Sequence, residues 1–393
     1  MVAEIVEVTL DRVAKGGAAL GPGPDGRVVF VRGALPGERV LASVRADKKG
    51  FLDAELSQVL DASPSRVEPS CKHVADGCGG CDWQHANGEA QSTMRLDIVA
   101  DALRRLGKLD GIDIRQGPML PGTDYRTTVR VAVSNGLAGY RKGRSHDVVR
   151  PETCAVAHPL VEEILVDGRF PDAADVTIKV GARTGDRLAV VGPNAEGSAV
   201  PIGTQIIGRD DLKAGRTAHI HEIVGGHRFR ISADSFFQCR PDGAEALLQL
   251  AADALADVDG PLVDAYCGVG LFGAIVAEGR PLTAIESSRS SILDAAENLP
   301  KGTEIVRSRV ERWTPTKAAG VIADPARRGL EAAGVGVVTA TEASTIVLVS
   351  CDPASLARDA RLIVDRGYAL DRVTVVDLFG QTSHVETVSV FRR

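Results

Sequence analysis

Two side chains near the end of the chain have the types and setting of a nucleophile and its base. Cys351 stands in Ser350-Cys-Asp-Pro353, after the apolar run Thr345–Ser350 and before a helical pattern that Pro353 opens. A strand-to-helix junction points free N–H groups at such a residue, which can lower a thiol pKa and favour the thiolate. Downstream, His384-Val-Glu386 sets a carboxylate inside a β-rich stretch, where it could act as a general base. Position alone favours blander readings, an inert buried cysteine and a carboxylate on an exposed strand face. Taken as a pair, however, the two groups can perform an addition followed by an elimination.

A glycine-rich turn supplies the second component. Asp264-Ala-Tyr-Cys-Gly268-Val-Gly270-Leu-Phe-Gly273 lies between an apolar run and a helical pattern, where glycine lets a ligand approach the backbone at a helix N-terminus. Gly268, Gly270 and Gly273 satisfy the dinucleotide fingerprint literally, so a nicotinamide site and an unliganded turn both stay open. Glu286 ends the next apolar run, placed to accept hydrogen bonds from ribose hydroxyls, and Asp324-Pro325 ends another at the edge where open α/β sheets bind ligands. These acids favour S-adenosylmethionine. One reaction needs every part. Carbon-5 of uracil is a poor nucleophile until a thiolate adds at carbon-6, and its proton must afterwards be removed by a base.

Four further thiols suggest a metal. Cys71, Cys78 and Cys81 fall within one short stretch, and Cys154 could complete a set suited to zinc or a four-iron cluster. Spacing alone leans slightly to zinc, and unligated thiols are the third possibility. Cys239 and Cys267 read as packing residues. Lys and Arg outnumber Asp and Glu across 91–150, and Gly139-Tyr-Arg-Lys-Gly-Arg-Ser-His146 is a basic turn, either a phosphate-contacting face or a solvated hairpin.

Several elements must position these groups. Residues 1–60 read as a small all-β barrel, with β-rich runs at Ile5–Leu10, Arg27–Val31, Glu38–Ala46 and Leu52–Leu60. A mixed region, 61–230, holds the cysteines and a helical pattern from Glu89 to Leu106; its topology is not legible. From 231 to 393, runs at 261–265, 281–286, 304–307, 320–324 and 345–350 alternate with helical patterns, which predicts a parallel sheet covered by helices. Runs at 372–379 and 384–391 predict a closing hairpin with a short turn, the ending of a class I methyltransferase sheet. The expected fold class is therefore multidomain α/β: barrel, mixed central domain, and C-terminal Rossmann-like sheet.

Composition constrains the rest. A net charge of -6 over 393 residues gives no global sign of a nucleic-acid binder, so any such claim needs local support. No apolar run approaches the roughly 20 residues of a membrane span. The start, Met1-Val-Ala-Glu-Ile-Val-Glu-Val8, lacks a basic segment followed by an apolar core. A cytoplasmic monomer is expected, in a compartment where clustered thiols bind metal or react.

With these residues in view, the chain resembles the RNA 5-methyluridine methyltransferases that carry an N-terminal TRAM domain and an iron–sulfur cluster. Ser-Cys-x-Pro at 350–353 matches the family's nucleophile motif, His384-Val-Glu386 its base motif, and Phe236-Phe-Gln238 its pre-domain signature. The resemblance implies Cys351 as nucleophile and Glu386 as base. It implies Gln238, Tyr266, Glu286 and Asp324 as S-adenosylmethionine contacts beside Gly268 and Gly270, and a 4Fe-4S cluster rather than zinc on Cys71, Cys78, Cys81 and Cys154. An RNA partner follows, ribosomal RNA favoured over transfer RNA. The chain departs from the family at Asp352 (usually Asn), at Ala326 (usually Pro), and at Leu271 (commonly Asn). Two competing functions remain: an NAD(P)-dependent iron–sulfur oxidoreductase, which leaves Cys351 and Glu386 idle, and a non-catalytic RNA-binding protein, whose binding would survive changes at Cys351.

Overall fold

The computed structural model describes residues 4–393; Met1, Val2 and Ala3, which belong to the start read for an export signal and to the 1–60 unit, lie outside the described residues. Near the N-terminus, six short strands form one sheet in the order Ile5–Thr9, Arg39–Lys48, Phe51–Asp61, Val28–Arg32, Ala19–Pro22, Arg12–Val13. Alternation along the strands turns Val29, Val31, Val40, Ala42, Leu52 and Ala54 into its core. All but one of its pairings are antiparallel, Val28–Arg32 running parallel to Phe51–Asp61.

The stretch whose topology the sequence hides holds a second six-stranded sheet, ordered Val148–Val149, Leu137–Arg141, Thr128–Ser134, Asp175–Val180, Arg187–Gly192, Thr204–Gly208. Helix Pro159–Asp167 covers it through Val161, Ile164 and Leu165. A separate hairpin, His219–Val224 with His227–Ser232, buries Ile220, Phe229 and Ile231 in the core of the C-terminal sheet.

That C-terminal sheet has eight strands, ordered Glu304–Arg307, Leu282–Glu286, Leu262–Ala265, Gly320–Ala323, Thr345–Ser350, Glu386–Arg392, Ala369–Val376, Ile114–Gln116. The first five run parallel. Leu262–Ala265, Gly320–Ala323 and Thr345–Ser350 are buried at every position, as strands covered on both faces must be. Glu386–Arg392 inserts antiparallel beside Thr345–Ser350, the ending expected of a class I methyltransferase.

Two features depart from expectation. Ile114–Gln116, within the central region by sequence, joins the edge of the C-terminal sheet parallel to Ala369–Val376. Helix Gly88–Arg105 likewise packs its Met94, Ile98, Val99 and Leu103 face into the core on one side of that sheet. The closing hairpin has no short turn: the strands end at Val376 and resume at Glu386, so residues 377–385 form a loop. Its apolar residues read as strand, yet their backbone groups are engaged by helix Gly88–Arg105 and the cysteine stretch instead of a ladder. Among the described residues no helix is long and apolar enough to cross a membrane.

Candidate active site

Strand register brings the two reactive groups together. Ser350 pairs with Thr387 and Val349 with Val388, so Cys351 and Glu386 flank the last pair of the antiparallel ladder and lie close enough for the Glu386 charge to act on the thiol. Glu386 opens its strand and is 4% exposed, while Cys351 is half-buried where Thr345–Ser350 gives way to helix Pro353–Val364. Asp324, just past the neighbouring strand, shares their electrostatic environment.

This crowding of acids sets their protonation. Burial first, then Glu386 and Asp324, pushes the Cys351 thiol up to about 12, with Arg327 pulling the other way. The thiolate-favouring shift expected from the helix N-terminus is therefore overridden, because desolvation and two neighbouring carboxyls oppose a new negative charge. Burial, reinforced by Asp324, also raises Glu386 well above the usual carboxyl range. Asp324 is itself raised to about 7 by burial, against the lowering effect of Gln238.

The glycine turn sits beside this cluster. Tyr266, Gly268 and Gly270 all take positive φ, so the chain reverses sharply between Ala265 and helix Leu271–Val276. A Cβ on Gly270 would strike Leu299 at 2.8 Å, whereas one on Gly268 would meet nothing within 4 Å. The first glycine is needed for packing; the second leaves its backbone open to a ligand. Asp264 accepts a bond from the Gly273 N–H at 2.8 Å through Oδ2, while its Oδ1 is buried without a partner. Burial raises Asp264 to about 7.

Glu286 ends its strand with Oε2 3.2 Å from the Gly268 N–H and Oε1 held by the Ser287 and Ser288 N–H groups. A cavity of about 410 Å³ opens at this strand end, lined by Tyr266, Glu286, Ser308, Glu311, Pro325 and Ala326 among others. Tyr266 Oη donates to Glu311 at 2.7 Å. Of the six residues expected to contact a cofactor, Tyr266 and Glu286 line this cavity; Gly268 touches Glu286, Gly270 shapes the turn, and Gln238 Nε2 reaches Asp324 at 3.4 Å. A cavity of this size beside the glycine turn, with Tyr266 and Glu286 in its lining, fits a nucleoside-sized ligand.

Gln238 owes its place to groups that sequence reading passed over. Lys179 donates to the carbonyls of Ser232 and Ser235, and Asp294 accepts from the Ser232 and Ser235 hydroxyls. Phe236, next in line, is 71% exposed. Lys15 of the N-terminal sheet's Val13–Ala19 turn was also missed; it pairs with Asp352, whose other oxygen caps helix Pro353–Val364 through the Ala354 and Ser355 N–H groups at 3.0 and 2.9 Å. Capping accounts for the departure at Asp352, since Asp and Asn serve alike there. Leu271 is a core residue and Ala326 faces the cavity.

The four clustered cysteines do meet. Cys71, Cys78, Cys81 and Cys154 line one small cavity, of about 20 Å³, with Tyr140 and Gln84. Tyr140 Oη lies 3.6 Å from Cys154 Sγ, and the Cys71 N–H donates to Gln84 at 3.1 Å. Burial raises the Cys78 thiol and pushes Cys81 up to about 11. Among the described residues no three His, Cys, Asp or Glu side chains close around a single-ion position. Cys239 and Cys267 lie outside that lining.

Comparison with known proteins agrees with this architecture. The TRAM domain model matches residues 1–57. An uncharacterised RNA methyltransferase of Streptomyces avermitilis is 34% identical, covering 98% of each chain. Another, of Corynebacterium efficiens, is 31% identical over 99% of this chain and 95% of its own. Among solved structures, the Pyrococcus abyssi tRNA (uracil-54, C5)-methyltransferase in complex with S-adenosyl-L-homocysteine superposes with a TM-score of 0.75 at 20% identity, covering 98% of this chain and 99% of that one. At that identity the likeness concerns the fold, and it extends over all three parts of the chain. The chain thus belongs to the RNA methyltransferase family with an N-terminal TRAM domain that its motifs resemble.

Proposed function

We propose that this enzyme methylates carbon-5 of a uridine in RNA, with S-adenosylmethionine as donor, Cys351 as covalent nucleophile and Glu386 as general base. One observation supports the reading above the others: Cys351 and Glu386 flank the last pair of their ladder, Ser350 with Thr387, and each feels the charge of Asp324. S-adenosylmethionine would supply an electrophilic methyl from its sulfonium, held by Gly268, Gly270, Tyr266, Glu286, Gln238 and Asp324.

Cys351 gives up its proton to solvent and its sulfur bonds to uracil carbon-6, while the ring's π pair moves onto the carbonyl at carbon-4. The enolate makes carbon-5 electron-rich enough to take the methyl that bound S-adenosylmethionine would supply, with S-adenosylhomocysteine as the leaving group, and the carbon-4 carbonyl re-forms. The Glu386 carboxylate accepts the carbon-5 proton, the enolate so formed collapses, and the Cys351 sulfur leaves with its bonding pair. Burial makes Glu386 a stronger base than an exposed carboxylate, which suits removal of a carbon-bound proton. A base so enclosed must be presented out of the stack, so a single-stranded or flipped nucleotide is the expected substrate.

The remaining assignments belong to the same proposal. Units 1–60, 61–230 and 231–393 serve as TRAM barrel, central RNA-contacting and cysteine-bearing domain, and methyltransferase domain, the last also taking in helix Gly88–Arg105, strand Ile114–Gln116 and the 219–232 hairpin, in a cytoplasmic monomer. Cys71, Cys78, Cys81 and Cys154 would hold a 4Fe-4S cluster. Four thiols lining one cavity are a donor set that suits it. The barrel-plus-cysteine arrangement favours ribosomal RNA, whereas the solved relative is named for transfer RNA.

Labelled methyl transfer tests the reading on both RNA classes isolated from cells lacking the gene. Wild-type protein should deposit 5-methyluridine and Cys351→Ala none. A different methylated nucleoside, or full activity in Cys351→Ala, would overturn it.

A further inference from the structure

The stretch that carries the cysteines continues directly into contacts with the loop before the base. Cys81 is followed by Asp82, whose Oδ1 accepts from the Ser383 N–H at 2.8 Å and whose Oδ2 accepts from the Ser383 hydroxyl at 2.6 Å. Trp83 comes next, fully buried, and its backbone N–H donates to the Gln381 carbonyl at 3.1 Å. Its indole N–H donates to the Gly17 carbonyl of the TRAM barrel, also at 3.1 Å.

Gln381 is the strained point of that loop, a non-glycine residue at φ +66°. Such a conformation persists only where its surroundings over-determine it. Here Trp83 holds its carbonyl, while Gln91 of helix Gly88–Arg105 accepts from its N–H at 2.9 Å and donates to its side-chain oxygen at 3.1 Å. One turn along that helix, the buried Arg95 guanidinium donates to the carbonyls of Phe379, Thr382 and His384 and to Asp377. Ser383 stands three residues before Glu386, which is the first residue of its strand. Where the loop exits therefore decides where the carboxylate starts.

We propose that Asp82 and Trp83 are positioning residues for Glu386, through which the cysteine site holds the base loop in register. An ordered cysteine stretch is then required for the proton-abstraction half of the reaction, and not for RNA binding or for addition of the Cys351 sulfur. The inference rests on the covalent reading given above and extends it to a part of the chain that touches neither donor nor uridine.

Asp82 is exposed, so Asp82→Ala can be made without disturbing a core. It would be compared with Asp82→Asn and Cys81→Ser, using RNA from cells lacking the gene, with Glu386→Gln as the control that traps adduct. Four quantities are read: iron and sulfide content, amide exchange at Gln381–Ser383, KM against kcat, and the fraction of protein covalently joined to RNA.

Asp82→Ala should keep its iron content, exchange faster at those amides, accumulate adduct, and show a KM that falls with kcat. Its kcat should fall by between about tenfold and a hundredfold, the scale of a misplaced catalytic group. Asp82→Asn should recover part of the rate. Cys81→Ser should lose iron and show the same adduct. A raised KM with unchanged kcat, or slow turnover without adduct in Asp82→Ala, would overturn the inference alone. No adduct in Glu386→Gln would instead overturn the covalent reading, and this inference with it.

Discussion

A thiol walled in by carboxyl groups is a strong nucleophile that is seldom ionised. In the free enzyme Cys351 holds its proton because burial, Glu386 and Asp324 all disfavour a further negative charge. An ordinary thiol is mostly ionised above about pH 9, so its alkylation rate levels off there. Alkylation of Cys351 by iodoacetamide should instead keep climbing, by about tenfold per pH unit, well past that point. Peptide mass spectrometry would follow this cysteine separately from the other six. A rate that flattens near neutrality would mean a thiolate already stabilised at rest. The two residues themselves were legible, because Pro353 after the cysteine and the apolar run before it are local signals. The direction of the thiol shift was not. It depends on Glu386 and Asp324, which the sequence keeps apart and only the sheet assembles.

Helix Pro353–Val364 begins two residues after the nucleophile, and its N-cap Asp352 adjoins Cys351, so whatever caps it also steadies Cys351. Asp352 does this with one oxygen on the Ala354 and Ser355 N–H groups and the other on Lys15. Its carboxyl lies below the usual range; partial burial opposes this, but Lys15 and the two amides outweigh it. Loss of such a cap costs about 0.5–2 kcal/mol, whereas an ion pair with a half-exposed lysine contributes less than about 1 kcal/mol. Asp352→Ala should therefore speed amide exchange at Ala354 and Ser355 markedly, and Lys15→Met only slightly. Equal effects would contradict this ranking. The helix was readable from its Pro353 start and apolar face. Lys15 was not, because its partner is 337 residues away. Nor was strand Ile114–Gln116, whose three largely exposed residues carry no pattern before the sheet edge pairs with them.

At the scale of the molecule, the C-terminal sheet announced itself through apolar runs spaced by helices, since strands buried on both faces must be apolar throughout. The central sheet did not, because short antiparallel strands with one wet face resemble the turns between them. What joins the parts is polar: Trp83 to Gly17, Asp82 to Ser383, Arg95 to Asp377, Lys15 to Asp352. These contacts tie the TRAM barrel and the cysteine stretch to the loop before Glu386 and to the helix after Cys351. In the proposed reaction a uridine is held on Cys351 by a sulfur–carbon bond that Glu386 must release. Incubating Glu386→Gln with methyl-labelled S-adenosylmethionine and unmodified RNA tests it most directly. A labelled protein–RNA species should survive a denaturing gel and disappear when Cys351→Ala is added to the same variant. Normal turnover by Glu386→Gln, or an adduct that persists without Cys351, would contradict it.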